Sequence, residues 1–107
     1  MINIFKSLAE ARRRKKQLRA ALSQNDARFK AALEQIEREY RARTDRIMNA
    51  FIHELTNAGG LDCPEEEAIT AKAERRTEQA RALADQKIRE LESANERRIK
   101  QIYACYH

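Results

Sequence analysis

Glycine and proline are almost missing from this 107-residue chain. Two glycines and one proline are present, and all three lie within residues 59–64. Outside that stretch no residue type forces the backbone to turn, so the expected fold has two long elements joined once. Cysteine and histidine number two each: Cys63, Cys105, His53 and His107. On two helices joined at residues 59–64, some forty helical residues would put Cys63 and Cys105 roughly 60 Å apart, too far for an intrachain disulfide or a shared metal. Cys105 and His107 could supply two ligands at the paired ends of a dimer, but two on a terminal tail make a weak set, and no metal is expected. No transmembrane run is present. Met1-Ile2-Asn3-Ile4-Phe5 is too short for a signal h-region and precedes a basic block instead of following one, so a cytoplasmic location is expected.

The chemistry of catalysis is also missing. Ser7, Ser23 and Ser93 stand on polar faces far from either histidine, which removes the nucleophile–base arrangement. The one Gly-Gly lies in the turn and cannot cradle a phosphate. The carboxylates mostly interleave with cations at helical spacing, as in Glu34–Arg38 and Asp85–Arg89, with Glu74–Glu78 a like-charged pair, and read mostly as solvated ion-pairing faces. A two-helix hairpin also lacks the concavity an active site needs. The chain is therefore read as not an enzyme, with no cofactor and no small-molecule substrate.

What is present is a repeat. The first arm carries Leu18, Phe29, Tyr40, Phe51; Leu22, Leu33, Thr44, Leu55; and Asn25, Ile36, Ile47, Ala58, each series spaced by eleven. The second carries Ile69, Ala80, Leu91, Ile102; Ala73, Ala84, Asn95, Tyr106; and Thr77, Ile88, Ile99. Eleven residues in three turns is about 3.67 per turn, close to the α-helical 3.6, so the seam runs along nearly straight helices. Folded at the glycines, each seam residue meets one whose number brings the sum to about 124. Phe51 then faces Ala73, Tyr40 faces Ala84 and Phe29 faces Asn95, large against small, as interdigitating layers require. The fold class is all-α: a long, coiled-coil-like antiparallel two-helix hairpin over residues 18–107, with its turn at 58–64 and an N-terminal helical overhang.

The turn chemistry agrees. Asn57, Gly59 and Gly60 tolerate positive φ at a helix C-terminus. Asp62 stands three residues before Glu65 in capping-box spacing, and Pro64 fits a first helical turn. Glu65, Glu66 and Glu67 complement the second helix dipole. Asn25 and Asn95 are polar seam positions. They read first as facing water near the open end, and alternatively as a pair that pins register.

Residues 1–17 form a separate amphipathic, basic extension. The seam would continue there on Arg14, Ala11, Ser7 and Asn3, but the apolar residues are Ile2, Ile4, Phe5 and Leu8, on another face. By the mirror rule their partners would lie past residue 107. The extension either continues the first helix or folds back through a break at Ser23-Gln24-Asn25-Asp26; the undisturbed register favours continuation. The net charge of +5 is concentrated at this end: residues 1–20 carry seven basic side chains against Glu10, while residues 21–58 balance.

Three functions follow as expectations. The first is a protein-interaction module, a small adaptor, inhibitor, assembly or regulatory factor, with Ile2, Ile4, Phe5 and Leu8 as anchors for a partner groove. The second is nucleic-acid binding, with Arg12, Arg13, Arg14, Lys15, Lys16 and Arg19 on phosphates; no reading motif and no interleaved aromatic supports it. The third, ranked last, is peripheral membrane association through the apolar start and polybasic stretch. Two helices bury little surface, so self-association into a homodimer or larger assembly is expected, with Met48, Ile52, Leu61 and Leu83 as the association face.

Overall fold

A computed structural model describes residues 3–106. Two helices account for nearly all of them: α1 over Asn3–Asn57 and α2 over Glu66–Cys105. The molecule is an all-α helical hairpin. It divides into two compact units, one formed by Met1–Leu33 with Glu90–His107, the other by Glu34–Arg89. In each, a segment of α1 packs against an antiparallel segment of α2.

Burial follows the spacing in the sequence. Each of the twelve first-arm seam positions from Leu18 to Ala58, and each of the eleven second-arm positions from Ile69 to Tyr106, is buried or half-buried. Among the described residues no side chain is fully buried; the deepest are Asn25, 6 % exposed, and Ala80, 7 % exposed. Stability therefore rests on many half-buried contacts along the seams, not on a central core.

In the unit of residues 34–89, Phe51 and Ala73 line one groove, and Tyr40 with Ala84 and Ile36 with Ile88 line another. The large-against-small pairing is the one the register predicts. The seam threonines are satisfied within their own helices: Thr44 donates to the Arg41 carbonyl and Thr77 to the Ala73 carbonyl, both at 2.9 Å. Half-burying those hydroxyls thus leaves no donor unpaired. Two ion pairs cross between the helices, Lys72 Nζ to Glu54 Oε1 at 3.1 Å and Lys87 Nζ to Glu39 Oε2 at 3.0 Å. The Lys87 ammonium, then a hydrogen bond from Gln35, hold the Glu39 carboxyl below its usual value.

In the other unit the seam contains an amide pair. Asn25 Nδ2 donates to Asn95 Oδ1 at 2.8 Å. The expectation that these asparagines face water is corrected, since Asn25 is buried and Asn95 half-buried. The pair also explains why Ser23-Gln24-Asn25-Asp26 stays helical. Asn breaks helices by bonding local backbone, and here the Asn25 amide is bonded across the seam. Asp26 is held by Lys30 one turn on, at 3.1 Å. α1 accordingly passes through this stretch without interruption.

The turn closes α1 in a Schellman arrangement. Gly60 N–H donates to the Leu55 carbonyl at 2.8 Å and Gly59 N–H to the Thr56 carbonyl at 3.2 Å. Both glycines have positive φ, 115° and 85°, and Asp62 follows at 68°. The start of α2 differs from the expected capping box by one residue. It is Glu66, not Glu65, whose carboxylate accepts the Asp62 backbone N–H, at 3.1 Å. The Cys63 carbonyl accepts from Glu66 N–H at 3.1 Å, and the first i→i+4 bond of α2 runs from Ile69 N–H to the Glu65 carbonyl at 3.0 Å.

Candidate interaction surfaces

Residues 3–17 of α1 are helical and exposed throughout, and half-burial begins at Leu18. Ile4, Phe5 and Leu8 present large apolar side chains to solvent, with Phe5 83 % exposed. Ile2, the fourth expected anchor, lies outside the described residues, as does His107. Arg12, Arg13, Arg14, Lys15, Lys16 and Arg19 are all exposed.

Helical geometry sorts these cations. At 3.6 residues per turn, Ile4, Leu8, Arg12 and Lys15 succeed one another along one face, with Arg19 continuing it; Phe5, Arg12 and Lys16 follow the adjoining line. The apolar strip thus runs directly into a basic strip on the same side of the helix. Arg13 and Arg14 project elsewhere, Arg14 in line with the seam. The arrangement is an amphipathic helix with exposed apolar side chains at one end and a cationic continuation.

The residues expected to form an association face separate into distinct places. Met48 and Ile52 are exposed on α1, one turn apart, and Leu61 is exposed in the turn. Leu83 is half-buried and lines a different groove from Met48. The Leu83 groove has Ile47 and Ala80 beside it and is edged by Arg43, Arg46 and Arg76. The Met48 groove, about 510 Å³, has Ile47, Phe51 and Ala73 along its floor and Glu74 and Glu78 on its edge, with Arg81 at one end. Beyond its other end α2 carries Glu66 and Glu67. The two grooves of this one unit therefore have opposite electrostatic character.

Sequence reasoning treated Glu74 and Glu78 as part of a solvated face. Their role as the rim of an apolar groove follows from where α1 lies, which periodicity along α2 does not encode. Tyr103, exposed near the end of α2, was also not singled out; it lies off the seam series.

Among the described residues, no group of three or more His, Cys, Asp or Glu is placed to hold a metal ion. No helix among them is long and apolar enough to cross a membrane. No protein-family model, curated protein or solved structure matches this chain.

Proposed function

We propose that this chain is a non-catalytic protein-interaction module that docks its N-terminal helical segment into an apolar, acid-rimmed groove of a protein partner. One observation carries this reading: Ile4, Phe5 and Leu8 are solvent-exposed on a helix whose same face continues as Arg12, Lys15, Lys16 and Arg19. Helix-in-groove recognition uses apolar anchors at such spacing, and flanking charges select the partner and steer its approach. Phe5 and Leu8 would supply most of the binding energy, as desolvated anchors generally do.

The test is Phe5→Glu with Leu8→Glu. Circular dichroism should show unchanged helicity, because both side chains are exposed. A partner captured by the wild type, cross-linking to residues 4–16, should be lost. Retained capture with the same cross-links would reject the reading.

A second reading, nucleic-acid binding through the phosphate backbone, is favoured by the exposure of all six cations between residues 12 and 19. It predicts sequence-tolerant retention that falls steeply with salt and is abolished by Arg12→Ala, Arg13→Ala and Arg14→Ala together. Phe5→Glu with Leu8→Glu should weaken such binding far less than the triple change, which separates the two readings.

A further inference from the structure

We infer that the docking helix has a receptor on its own kind: residues 4–16 of one chain lie in the Met48–Phe51–Ala73 groove of a second copy. This rests on the reading of the N-terminal segment as a docking helix and adds the identity of what it meets. Three observations support it.

The first is charge. The overhang is strongly basic, and the groove is edged by Glu74 and Glu78 with Glu67 beyond. The Leu83 groove of the same unit is edged by arginines and would repel the same helix. Arg81 at one end of the Met48 groove also sets direction. With Leu8 over Phe51 and Ala73, Arg12, Lys15 and Lys16 extend toward Glu67 only if the guest helix runs parallel to α1. Reversed, they would pass Glu78 and extend toward Arg81.

The second is fit. Residues 4–16 rise about 18 Å, and the groove wall from Glu67 to Arg81 rises about 21 Å. Ile4, Phe5 and Leu8 are exposed, as are Met48 and Ile52, so both apolar surfaces await cover. α1 has no break between residue 3 and residue 57. The overhang therefore has no hinge by which to fold onto its own chain, and the occupant is a second chain.

The third is area. The chain exposes 8910 Å², whereas a folded monomer of its 12.5 kDa is expected to expose about 6,200 Å². The excess, roughly 2,700 Å², leaves room for a contact of standard interface size, about 1,600 Å² in total. The contact is head-to-tail, so it either closes into a ring or continues as a filament. Either way the mass rises with concentration.

Sedimentation velocity over a concentration series tests this on the full chain. Wild type should associate, and association should weaken with salt. Phe5→Glu with Leu8→Glu disables the overhang, and Glu67→Lys with Glu74→Lys disables the groove. Both pairs are exposed, so helicity serves as the folding control. Each double variant should weaken self-association about tenfold or more. An equimolar mixture of the two should recover a one-to-one complex, because one variant keeps its groove and the other its overhang. A groove variant that associates like wild type, or a mixture that stays monomeric, overturns the inference. Wild type that stays monomeric up to about 1 mM also overturns it, but leaves the docking-helix reading intact if residues 4–16 still cross-link to another protein. Loss of those cross-links sinks that reading separately.

Discussion

One helix, α1, contains two regions that share a backbone and differ in everything else. Residues 3–17 have every side chain exposed, while from Leu18 onward each seam position is covered by α2. The local composition favours helix in both, so secondary structure does not distinguish them. What does is whether the apolar residues fall on the face that α2 covers. Helicity here is a property of the chain and burial a property of its partner.

The largest break in this comparison should come from charge on the covered side. Ala80→Glu puts a carboxylate at the most buried alanine and should cost on the order of 3 kcal/mol through crowding and desolvation. Ala11→Glu, the same change on the exposed overhang, should shift stability by less than about 0.5 kcal/mol. Urea unfolding followed by circular dichroism measures both. Equal costs would mean that the seam and the overhang do not differ as described.

A smaller effect is expected at the amide pair. Asn25→Ala leaves the half-buried Asn95 amide without its partner and should cost about 1–3 kcal/mol. Replacing both asparagines with leucine should restore most of that stability, because no polar group is then left unpaired. The double variant should also loosen the register, since paired polar seam residues discriminate against slipped alignments. Cross-linking of cysteines placed at positions 40 and 84 would report that slippage as reduced yield.

The smallest effect is one of pH. The Glu39 carboxyl is held below its usual value by Lys87 and Gln35. Its folded pKa is thus lower than its unfolded one. The stabilisation is present above the usual carboxylate range and is lost as pH falls through the folded value. Glu39→Gln should melt slightly below wild type near neutral pH, with the gap closing under acid. A gap that widens on acidification would contradict the assigned direction.

Most of the hairpin was legible in the sequence because its determinants are periodic or local. The eleven-residue spacing locates the seam, residue size sets the register, and Asn57 to Pro64 marks the turn. The features that escaped depend on the distance or the side on which the second helix lies. Asn25 and Asn95 were placed by period alone, which finds the seam but not the separation that lets two amides meet at 2.8 Å. Met48 and Leu83 both flank the seam in sequence, and period does not say that they flank it on different grooves. The ion pairs Glu54–Lys72 and Glu39–Lys87 join residues far apart in the chain, beyond the reach of i,i+4 reasoning. At the cap, the sequence offers three successive glutamates, and backbone geometry chose the second. The exposure of Ile4, Phe5 and Leu8 was legible because they lie off the seam's phase.

The unbroken passage of α1 through Ser23-Gln24-Asn25-Asp26 makes the overhang a torsionally keyed handle. With no joint between Leu8 and Leu18, the direction in which Leu8 faces is set by counting residues from the seam. One residue inserted at exposed Ala11 would turn the anchors by about 100° relative to the hairpin, and eleven would return them to their original bearing one repeat further out. Sequence length in this segment is thus an angular coordinate. A change that left every existing side chain intact could still turn Ile4, Phe5 and Leu8 toward a different side of the hairpin.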